Sequence, residues 1–370
     1  MDDQESEFNR VAIVGTGLMG GSFGLAVKHF YSGKTVAGVD FTEEIDKALE
    51  RGAIDEGYGP DELESALAGA DLVVLATPID PILELLQKIP AYLTREATVM
   101  DIGSTKREIC ARGREELENS SANFIGGHPM TGAEVRGITG AHSLLFENSV
   151  FVLVTPNGRR TEVARKLEGF LSGLGADPCY LDGRTHDRIV ARVSHLPQLI
   201  AITLMQTVGR ADEPEDYLSL AGGGFRDMTR IAESPFEIWR DILSTNGDLI
   251  REEVRKFLRE TEKTLNEIGE GKLEDAFRES GDLREQLPRT SKGISSSTFQ
   301  VAVMIPDRPG ALAEMTSALA EKEVNIRDLE LQKVREDYGG TFHVYFDTLK
   351  TAKEAEKIMT EQGFESRVVD

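Results

Sequence analysis

The sequence predicts an α/β protein of three parts: a doubly wound domain, an all-helical domain and a small ferredoxin-like βαββαβ domain. In residues 10–183, apolar runs of about five residues, such as VAIVG and DLVVLATP, alternate with amphipathic segments, which is typical of β-α-β units around a buried parallel sheet. From residue 184 the apolar residues recur three and four positions apart, which predicts helices. After residue 298 the order is strand, helix, strand, strand, helix, strand.

The doubly wound domain is expected over residues 1–183, the helical domain over 184–287 and the βαββαβ domain over 299–370. Residues 288–298, PRTSKGISSST, have no apolar period and are predicted to form a linker. A chain of 370 residues is too long for one ordinary core, which agrees with several domains.

The charge balance argues against nucleic acid or an anionic membrane as partner. The chain has 42 Lys plus Arg against 64 Asp plus Glu, a formal net charge of -22, and such a field repels phosphate. The first residues, MDDQESEFNR, do not resemble a signal peptide, and no apolar run is long enough to span a membrane. The two cysteines, Cys110 and Cys179, lie far apart without metal-ligand spacing. We therefore expect a cytoplasmic protein with no metal site.

The first β-α-β unit contains the sequence pattern of a dinucleotide-binding loop. Gly15, Gly17 and Gly20 form a G-x-G-x-x-G between a strand and a helix, where glycines allow a tight turn and close approach of a pyrophosphate to the helix N-terminus. Asp40 ends the next strand, where a carboxylate accepts hydrogen bonds from ribose hydroxyls. No arginine follows it, which favours NAD over NADP. ATP and flavin are weaker alternatives, and a glycine-rich turn that serves only packing is another.

A second loop, ATPID at residues 76–80, is expected beside the nucleotide, although an ordinary strand-to-helix turn would look the same. The predicted cofactor-binding residues are Gly15, Gly17, Leu18, Met19, Gly20, Asp40, Thr77 and Pro78.

His128 lies in GGHPMTGAE and is expected in an accessible tight loop beyond the end of a strand. Removing a hydride from a carbinol carbon requires loss of the hydroxyl proton, which a neutral imidazole can accept at neutral pH. Ser104, in DIGSTK, follows another predicted strand and is expected at the same sheet edge. Its hydroxyl could hold the imidazole in one tautomer or bridge to the substrate. The alternative is a loop histidine satisfied by backbone groups.

A second cluster, AGGGFRDMTRIAESPFEIWRD, places Arg226, Arg230 and Trp239 near the start of a helix. An arginine can clamp a carboxylate with two parallel hydrogen bonds, which an acidic protein needs locally if its substrate is an anion. The alternative is that both arginines are surface residues paired with Asp227 and Glu233.

The segments GTGLMGGS, TPI, DIGSTK, GGHPMTGAE, SHLP and GGGFRDMTRIA, in this order, resemble the prephenate dehydrogenase family of tyrosine biosynthesis. The resemblance implies a Rossmann-type domain, a helical dimerisation domain, and NAD-dependent oxidation and decarboxylation of prephenate to 4-hydroxyphenylpyruvate. On the matching positions it implies His128 as the proton acceptor, Ser104 as the residue that orients it and Arg230 as the ligand of the ring carboxylate. Glu134 is then expected at the pocket rim, with Trp239 and Arg226 also at the substrate.

One position departs from the family pattern. Many members that use prephenate read SHLPH, whose last histidine contacts the substrate side chain, whereas this chain has Gln198 there. Glutamine can donate and accept hydrogen bonds but carries no charge. The choice between prephenate and arogenate therefore stays open, and an arogenate or dual-specificity cyclohexadienyl dehydrogenase is the alternative.

The C-terminal segment VMIPDRPGALAEMTSALAEKEVNIRDLEL is similar to an ACT regulatory domain. The resemblance implies binding of an amino acid effector, with L-tyrosine as the expected ligand, between two such domains of a homodimer. The expected effector residues are Asp307, Arg308, Pro309, Gly310 and Asn325. The alternative is a domain that only stabilises or dimerises the protein.

Two more distant interpretations remain. A β-hydroxyacid dehydrogenase would use a lysine on the helical domain, but the segment GGGFRDMTR has Arg226 and Arg230 instead. A sensor that binds NAD and an amino acid without turnover would not need Ser104, His128 and Arg230 together.

Overall fold

The computed structural model describes residues 8–93, 96–132, 137–268, 273–287, 299–306, 308–335 and 339–369. The chain forms two compact units, Met1–Gly293 and Ile294–Asp370. The expected linker at residues 288–298 lies outside the described residues. The expected boundary between residues 183 and 184 stays a prediction, because both sides of it belong to the first unit.

The first unit is built on an eight-stranded sheet with the order β3-β2-β1-β4-β5-β6-β7-β8. Its strands are β1 (Arg10–Val14), β2 (Thr35–Val39), β3 (Glu56–Tyr58), β4 (Leu72–Leu75), β5 (Thr98–Asp101), β6 (Asn123–Pro129), β7 (Val150–Val154) and β8 (Asp177–Leu181). The chain order reverses at β1 and β4, as expected for a doubly wound domain.

The expectation of a wholly parallel sheet is correct only for β1 to β6. β7 pairs antiparallel with β6, and β8 runs parallel to β7. A parallel crossover needs a long connection, usually an α-helix. In its described part, the segment between β6 and β7 has only a 3₁₀ turn at Ile138–Gly140, whereas the helix between β7 and β8 allows a parallel return.

Helices cover both faces of this sheet, which makes it a buried layer. The helices of this part are α1 (Leu18–Phe30), α2 (Thr42–Glu50), α3 (Leu63–Leu67), α4 (Ile79–Lys88), α5 (Arg107–Leu117) and α6 (Glu162–Gly173). Along β1, Val11 and Ile13 join the apolar cluster that contains Phe23 of α1. Ala12 and Val14 join the opposite cluster with residues of α4 and α5. The alternation follows from the two-residue period of a strand.

The rest of the first unit is helical in its described residues, as the sequence predicted. It comprises α7 (Gly183–Val190), a π-helical turn (Ala191–His195), α8 (Leu196–Gly209), α9 (Pro214–Ser219), α10 (Gly223–Thr229), α11 (Phe236–Glu267) and α12 (Leu273–Glu285). Ile242, Leu249 and Ile250 of α11 pack into the same cluster as α4, which brings the start of α11 against the sheet domain. No helix in the described ranges is long and apolar enough to cross a membrane.

The second unit confirms the predicted βαββαβ order. It comprises β9 (Phe299–Ile305), α13 (Ala311–Glu321), β10 (Asp328–Arg335), β11 (Gly339–Phe346), α14 (Leu349–Glu361) and β12 (Glu365–Val369). The sheet order is β10-β11-β9-β12 with antiparallel pairs throughout. Residues of both helices, including Met315 and Met359, form its core with β9.

Candidate active site

The carboxyl ends of four neighbouring strands lie level at one edge of the large sheet. The register pairs Val14 with Leu75, Leu75 with Asp101, and Asp101 with Gly126. The loops that leave β1, β4 and β5, and the last residues of β6, therefore stand side by side. In an open α/β sheet a ligand binds at this edge, next to the switch point between β1 and β4.

The glycine loop has the geometry that a dinucleotide requires. Gly15 has φ +96°, and a Cβ there would lie 2.8 Å from the carbonyl carbon of Ala76, so only glycine fits. A Cβ on Gly20 would lie 1.9 Å from the carbonyl oxygen of Gly15, which shows how closely α1 packs on the loop. In contrast, a Cβ on Gly17, the N-cap of α1, would meet no atom within 4 Å. The space in front of Gly17 is therefore open to a ligand.

Asp40 follows β2 at the same edge and holds the glycine loop. Its Oδ2 accepts hydrogen bonds from the backbone nitrogen of Thr16 at 2.7 Å and from the Thr16 hydroxyl at 3.2 Å. Its Oδ1 accepts from the backbone nitrogen of Phe41 at 2.8 Å. A carboxylate has about four acceptor positions, and Asp40 is only partly buried. A position for a ribose hydroxyl therefore remains compatible with these bonds.

The segment after β4 lies against the glycine loop. The backbone nitrogen of Ala76 donates to the carbonyl oxygen of Val14 at 2.7 Å, and Thr77 Cγ2 lies 2.9 Å from where a Gly15 Cβ would stand. Pro78 is the exposed N-cap of α4. Leu18 and Met19 form the first turn of α1. The predicted cofactor-binding residues thus surround one loop.

His128 lies inside a strand, and the expectation of a tight loop beyond the strand was wrong. β6 continues to Pro129, and His128 is paired with Val152 of β7. The antiparallel neighbour supplies the hydrogen bonds that keep the two glycines and the proline extended. A strand is a more rigid support for the imidazole than a loop.

The His128 ring forms the end of a chain of three polar side chains. His128 Nδ1 lies 2.8 Å from His186 Nε2, and His186 Nδ1 lies 2.8 Å from Asp187 Oδ1. His186 and Asp187 are 1% and 0% exposed, whereas His128 is only partly buried. Both partners come from α7, so the helical part of the unit supplies the support for a histidine on the sheet.

Asp187 is also the cap of another helix. Its Oδ1 accepts from the backbone nitrogen of Lys106 at 2.7 Å, and its Oδ2 accepts from that of Arg107 at 2.9 Å. These are the N-cap and first residue of α5, whose free N–H groups and dipole favour a negative charge. The Asn246 side-chain nitrogen donates to the Asp187 carbonyl oxygen at 2.8 Å. Asp187 is therefore fixed by two helices besides its own.

Both histidines are held in the neutral form at neutral pH. Burial lowers the pKa of His128 well below its usual value, and the neighbouring His186 and Lys106 lower it further. Burial also lowers the pKa of His186, although Asp187 opposes this effect. A neutral imidazole is the form that can accept a proton.

Lys106 and Asp101 form a fully buried ion pair next to the series His128, His186 and Asp187. Their side chains are each 0% exposed, and the Lys106 ammonium contacts Asp101 Oδ2. Asp101 also accepts hydrogen bonds from the backbone nitrogens of Gly103 at 2.8 Å and Gly127 at 3.4 Å. The pair therefore joins the loop after β5 to the strand that carries His128.

Ser104 lies in this loop, between β5 and α5, and is partly buried. The contact at His128 Nδ1 belongs to His186. Of the two roles expected for the serine hydroxyl, a bridge between substrate and imidazole is therefore the one that we retain as a proposal.

The second predicted cluster lies on α10 and the turn that follows it. Arg226 and Arg230 are exposed, and Arg226 Nε donates to the Ala221 carbonyl oxygen at 3.3 Å. Gln198 is 3% exposed, and its side-chain nitrogen donates to the Ile231 carbonyl oxygen at 2.9 Å. Gln198 therefore anchors the turn that begins with Arg230.

Trp239, on α11, is connected to Asp187 through the buried side chains of His195 and Asn246. Its ring meets His195 edge-on with centroids 5.7 Å apart, and His195 Nδ1 lies 3.3 Å from the Asn246 side-chain nitrogen. That nitrogen also reaches Asp187, as described above. Burial lowers the pKa of His195 to about 4, so His195 is a neutral packing partner at neutral pH.

Two predicted residues, Glu134 and Asp307, lie outside the described residues. In the second unit, Gly310 has φ +85° and caps α13, and Arg308 pairs with Glu314 at 2.6 Å. Asn325 is exposed between α13 and β10. The effector roles of Arg308, Pro309, Gly310 and Asn325 stay predictions.

Sequence reasoning missed His186, Asp187, Lys106 and Asn246. The available signal was weak: an adjacent His and Asp at the start of a helix more often cap or pair locally. Their importance depends on contacts across 58 to 81 residues of chain. Within the part of the chain that the structure describes, no group of three or more His, Cys, Asp or Glu side chains could hold a metal ion.

Comparison with known proteins agrees with this geometry. The model of the prephenate dehydrogenase nucleotide-binding domain matches residues 23–179, and that of the prephenate dehydrogenase dimerization domain matches residues 182–281. Prephenate dehydrogenase of Bacillus subtilis is 31% identical over 353 residues, which cover 94% of each chain.

Two solved structures are also similar. A prephenate dehydrogenase from A. aeolicus, in complex with hydroxyphenyl propionate and NAD+, has a TM-score of 0.71 and 29% identity, over 77% of this chain and 100% of that one. An arogenate dehydrogenase from Synechocystis has a TM-score of 0.66 and 26% identity, over 75% and 100%. The chain belongs to the prephenate dehydrogenase family.

Proposed function

We propose that this protein catalyses the NAD-dependent oxidative decarboxylation of prephenate to 4-hydroxyphenylpyruvate. The observation that supports this most is a neutral His128 at the same sheet edge as the dinucleotide loop, with Nδ1 engaged by His186. The family membership and the similarity to a prephenate dehydrogenase with NAD+ bound support the substrate and the cofactor.

The described residues fit NAD. The open space at Gly17 lies where α1 begins, so backbone N–H groups and the helix dipole can receive the pyrophosphate. The residues proposed to hold the cofactor are Gly15, Gly17, Leu18, Met19, Gly20, Asp40, Thr77 and Pro78. Bound NAD supplies the acceptor for the hydride from the ring carbinol carbon.

The protein residues handle the proton and the charge of the substrate. We assign His128 Nε2 as the acceptor of the hydroxyl proton. We assign the Ser104 hydroxyl as a bridge between the substrate hydroxyl and the His128 imidazole. Loss of hydride and proton leaves a vinylogous β-keto acid, whose ring carboxylate leaves as carbon dioxide while the ring becomes aromatic. The His128 imidazolium then returns its proton to the phenolate oxygen, so no net proton is consumed.

The anionic groups of prephenate require local cations in a chain with a net charge of -22. We assign Arg230 to the ring carboxylate, with Arg226 and Trp239 completing the pocket and Glu134 at its rim. A guanidinium can hold a carboxylate with two parallel hydrogen bonds, which also fixes the orientation of the ring.

Arogenate is the second candidate substrate. Gln198 stands at the position where many prephenate-using members have histidine, and one similar structure is an arogenate dehydrogenase. Gln198 cannot offer a positive charge to the pyruvyl carboxylate.

We further propose a cytoplasmic homodimer that is inhibited by L-tyrosine. The match of residues 182–281 to a dimerization domain supports the dimer, and the free Cys110 and Cys179 agree with a reducing compartment. The βαββαβ order of the second unit supports the ACT assignment, with Asp307, Arg308, Pro309, Gly310 and Asn325 as effector residues.

The test is NADH formation by the purified protein with prephenate and, separately, arogenate, each with and without L-tyrosine. We expect turnover of prephenate, loss of turnover in His128→Asn and unchanged NAD affinity in that variant. Turnover of arogenate alone would replace the substrate assignment, and no turnover of either would refute the function. Unchanged rates with L-tyrosine would refute only the effector assignment.

A further inference from the structure

We propose that His186 and Asp187 are positioning residues that fix the proton of His128 on Nδ1 and leave Nε2 as the bare acceptor. The inference rests on the proposed function, in which His128 accepts the hydroxyl proton. It extends that function because neither residue was assigned a role from the sequence.

The order of donors along the chain follows from Asp187. A carboxylate can only accept, so His186 must donate its Nδ1–H to Asp187 Oδ1 across 2.8 Å. A neutral imidazole carries one proton, which makes His186 Nε2 an acceptor. His128 must then donate its own Nδ1–H across the other 2.8 Å contact, and its single proton is used there.

The carboxylate of Asp187 is itself held in one orientation. The N-terminus of α5 donates two backbone N–H groups to Asp187, at 2.7 and 2.9 Å, and Arg107 Nε lies 3.8 Å from its Oδ2. These donors occupy lone pairs on both oxygens and favour the negative charge. Asp187 is therefore a fixed acceptor that determines the proton position two rings away.

The other titratable groups around the rings do not compete for these nitrogens. The ammonium of Lys106 contacts Asp101, and His195 contacts Asn246. When His128 takes the substrate proton, the charge of Asp187 stabilises the imidazolium through His186, and Asp187 does not need to become protonated.

The direct test is the protonation state of the ring nitrogens in the full-length protein with NAD, measured by NMR after labelling histidine with ¹⁵N. The signals of His128 are identified by their absence in His128→Asn. We expect protonated Nδ1 and bare Nε2 in both His128 and His186 at neutral pH. A proton on Nε2 of either ring would overturn the proposal.

The kinetic test compares His186→Leu with His186→Gln. Leucine removes the acceptor for His128, whereas glutamine keeps an oxygen for His128 and an N–H for Asp187. We expect kcat to fall roughly 10- to 100-fold in His186→Leu, the effect of one hydrogen bond to a developing charge, with unchanged NAD affinity and a mixed His128 tautomer by NMR. His186→Gln should retain clearly more activity than His186→Leu.

Exposed His29 on α1 gives the matched control. We expect His29→Gln to keep the kcat and the His128 signals of the parent protein. Wild-type kcat and an unchanged His128 tautomer in His186→Leu would refute the positioning role. If the parent protein turned over neither substrate, the proposed function would fail while the NMR result would still decide the tautomer.

Discussion

Replacing Lys106 with methionine should destabilise the first unit strongly, because it leaves a buried charge without its partner. Lys106 and Asp101 are each 0% exposed and contact one another. Methionine replaces the apolar part of the lysine side chain but carries no charge. After the change, Asp101 keeps only the backbone N–H groups of Gly103 at 2.8 Å and Gly127 at 3.4 Å.

The expected loss follows from the burial of both groups. Removing one partner of a buried ion pair costs about 3 to 5 kcal/mol. Because Asp101 retains two donors, we expect the lower end, about 3 kcal/mol. With a urea m-value of about 3 kcal/mol per molar, the midpoint of unfolding should fall by about 1 M.

The loss should depend on pH. Burial raises the pKa of Asp101 while Lys106 opposes the rise, so removing Lys106 should raise it further. When the pKa of a carboxyl is higher in the folded state than its value near 3.9 in the unfolded state, its contribution to the free energy of unfolding is fully present below pH 3.9. This stability is lost as the pH rises through the folded pKa. The variant should therefore be closer to the parent protein at pH 5.5 than at pH 8.

The assay is urea unfolding followed by circular dichroism and by Trp239 fluorescence, at both pH values. Lys28→Met is the matched control, because Lys28 pairs with Asp55 with both side chains about one third exposed, and such a pair contributes about 0 to 1 kcal/mol. A second change, Asp101→Asn, made in the Lys106→Met background should recover part of the loss. The reasoning is refuted if Lys106→Met costs no more than Lys28→Met, or if its cost is the same at both pH values.

Three further predictions concern the site. The pKa of His128 is lowered, and the neutral ring is the base. We therefore expect kcat/KM to stay level down to pH 6.5 and to fall only below it. A midpoint at or above pH 6.5 in a pH–rate profile would contradict this expectation. Gly17→Ala should weaken NAD binding with little change in stability. Gly20→Ala should lower the unfolding temperature, because its Cβ would meet the Gly15 carbonyl oxygen at 1.9 Å. Equal unfolding temperatures of the two variants would refute the packing argument. Gln198→His should raise the ratio of kcat/KM for prephenate to kcat/KM for arogenate about tenfold or more, because one charged hydrogen bond contributes about this much. An unchanged ratio would show that Gln198 does not select the substrate.

Local signals in the sequence were sufficient for most of the fold. The alternation of apolar runs with amphipathic segments predicted the doubly wound sheet, and the βαββαβ order of the second unit was confirmed. The direction of β7 could not be read in this way, because an apolar strand has the same pattern in both directions. That direction sets the environment of His128, since β7 pairs antiparallel with β6 over Gly126–Pro129 and so keeps His128 within the strand.

The candidate site was predictable where a single loop carries the chemistry. The glycines at residues 15–20 and Asp40 are close in sequence, and their spacing is itself the signal. The support of His128 has no such signal, because His186 reaches it across 58 residues of chain, and the N-terminus of α5 reaches Asp187 across 81. Their roles depend on three-dimensional contacts that no spacing rule contains.

The charges around His128 explain why the base can be partly buried and still ready to accept a proton. Lys106 and Asp101 offset one another, and the carboxylate of Asp187 is offset by the partial positive charge of the α5 N-terminus. No uncompensated charge therefore favours protonation of His128 before the substrate binds, and burial keeps the imidazole neutral. When the hydroxyl proton arrives, His186 lies between the new imidazolium and Asp187, so the charge forms where a fixed negative group already stands. Because that group is oriented before the reaction, little reorganisation is needed at the moment of proton transfer.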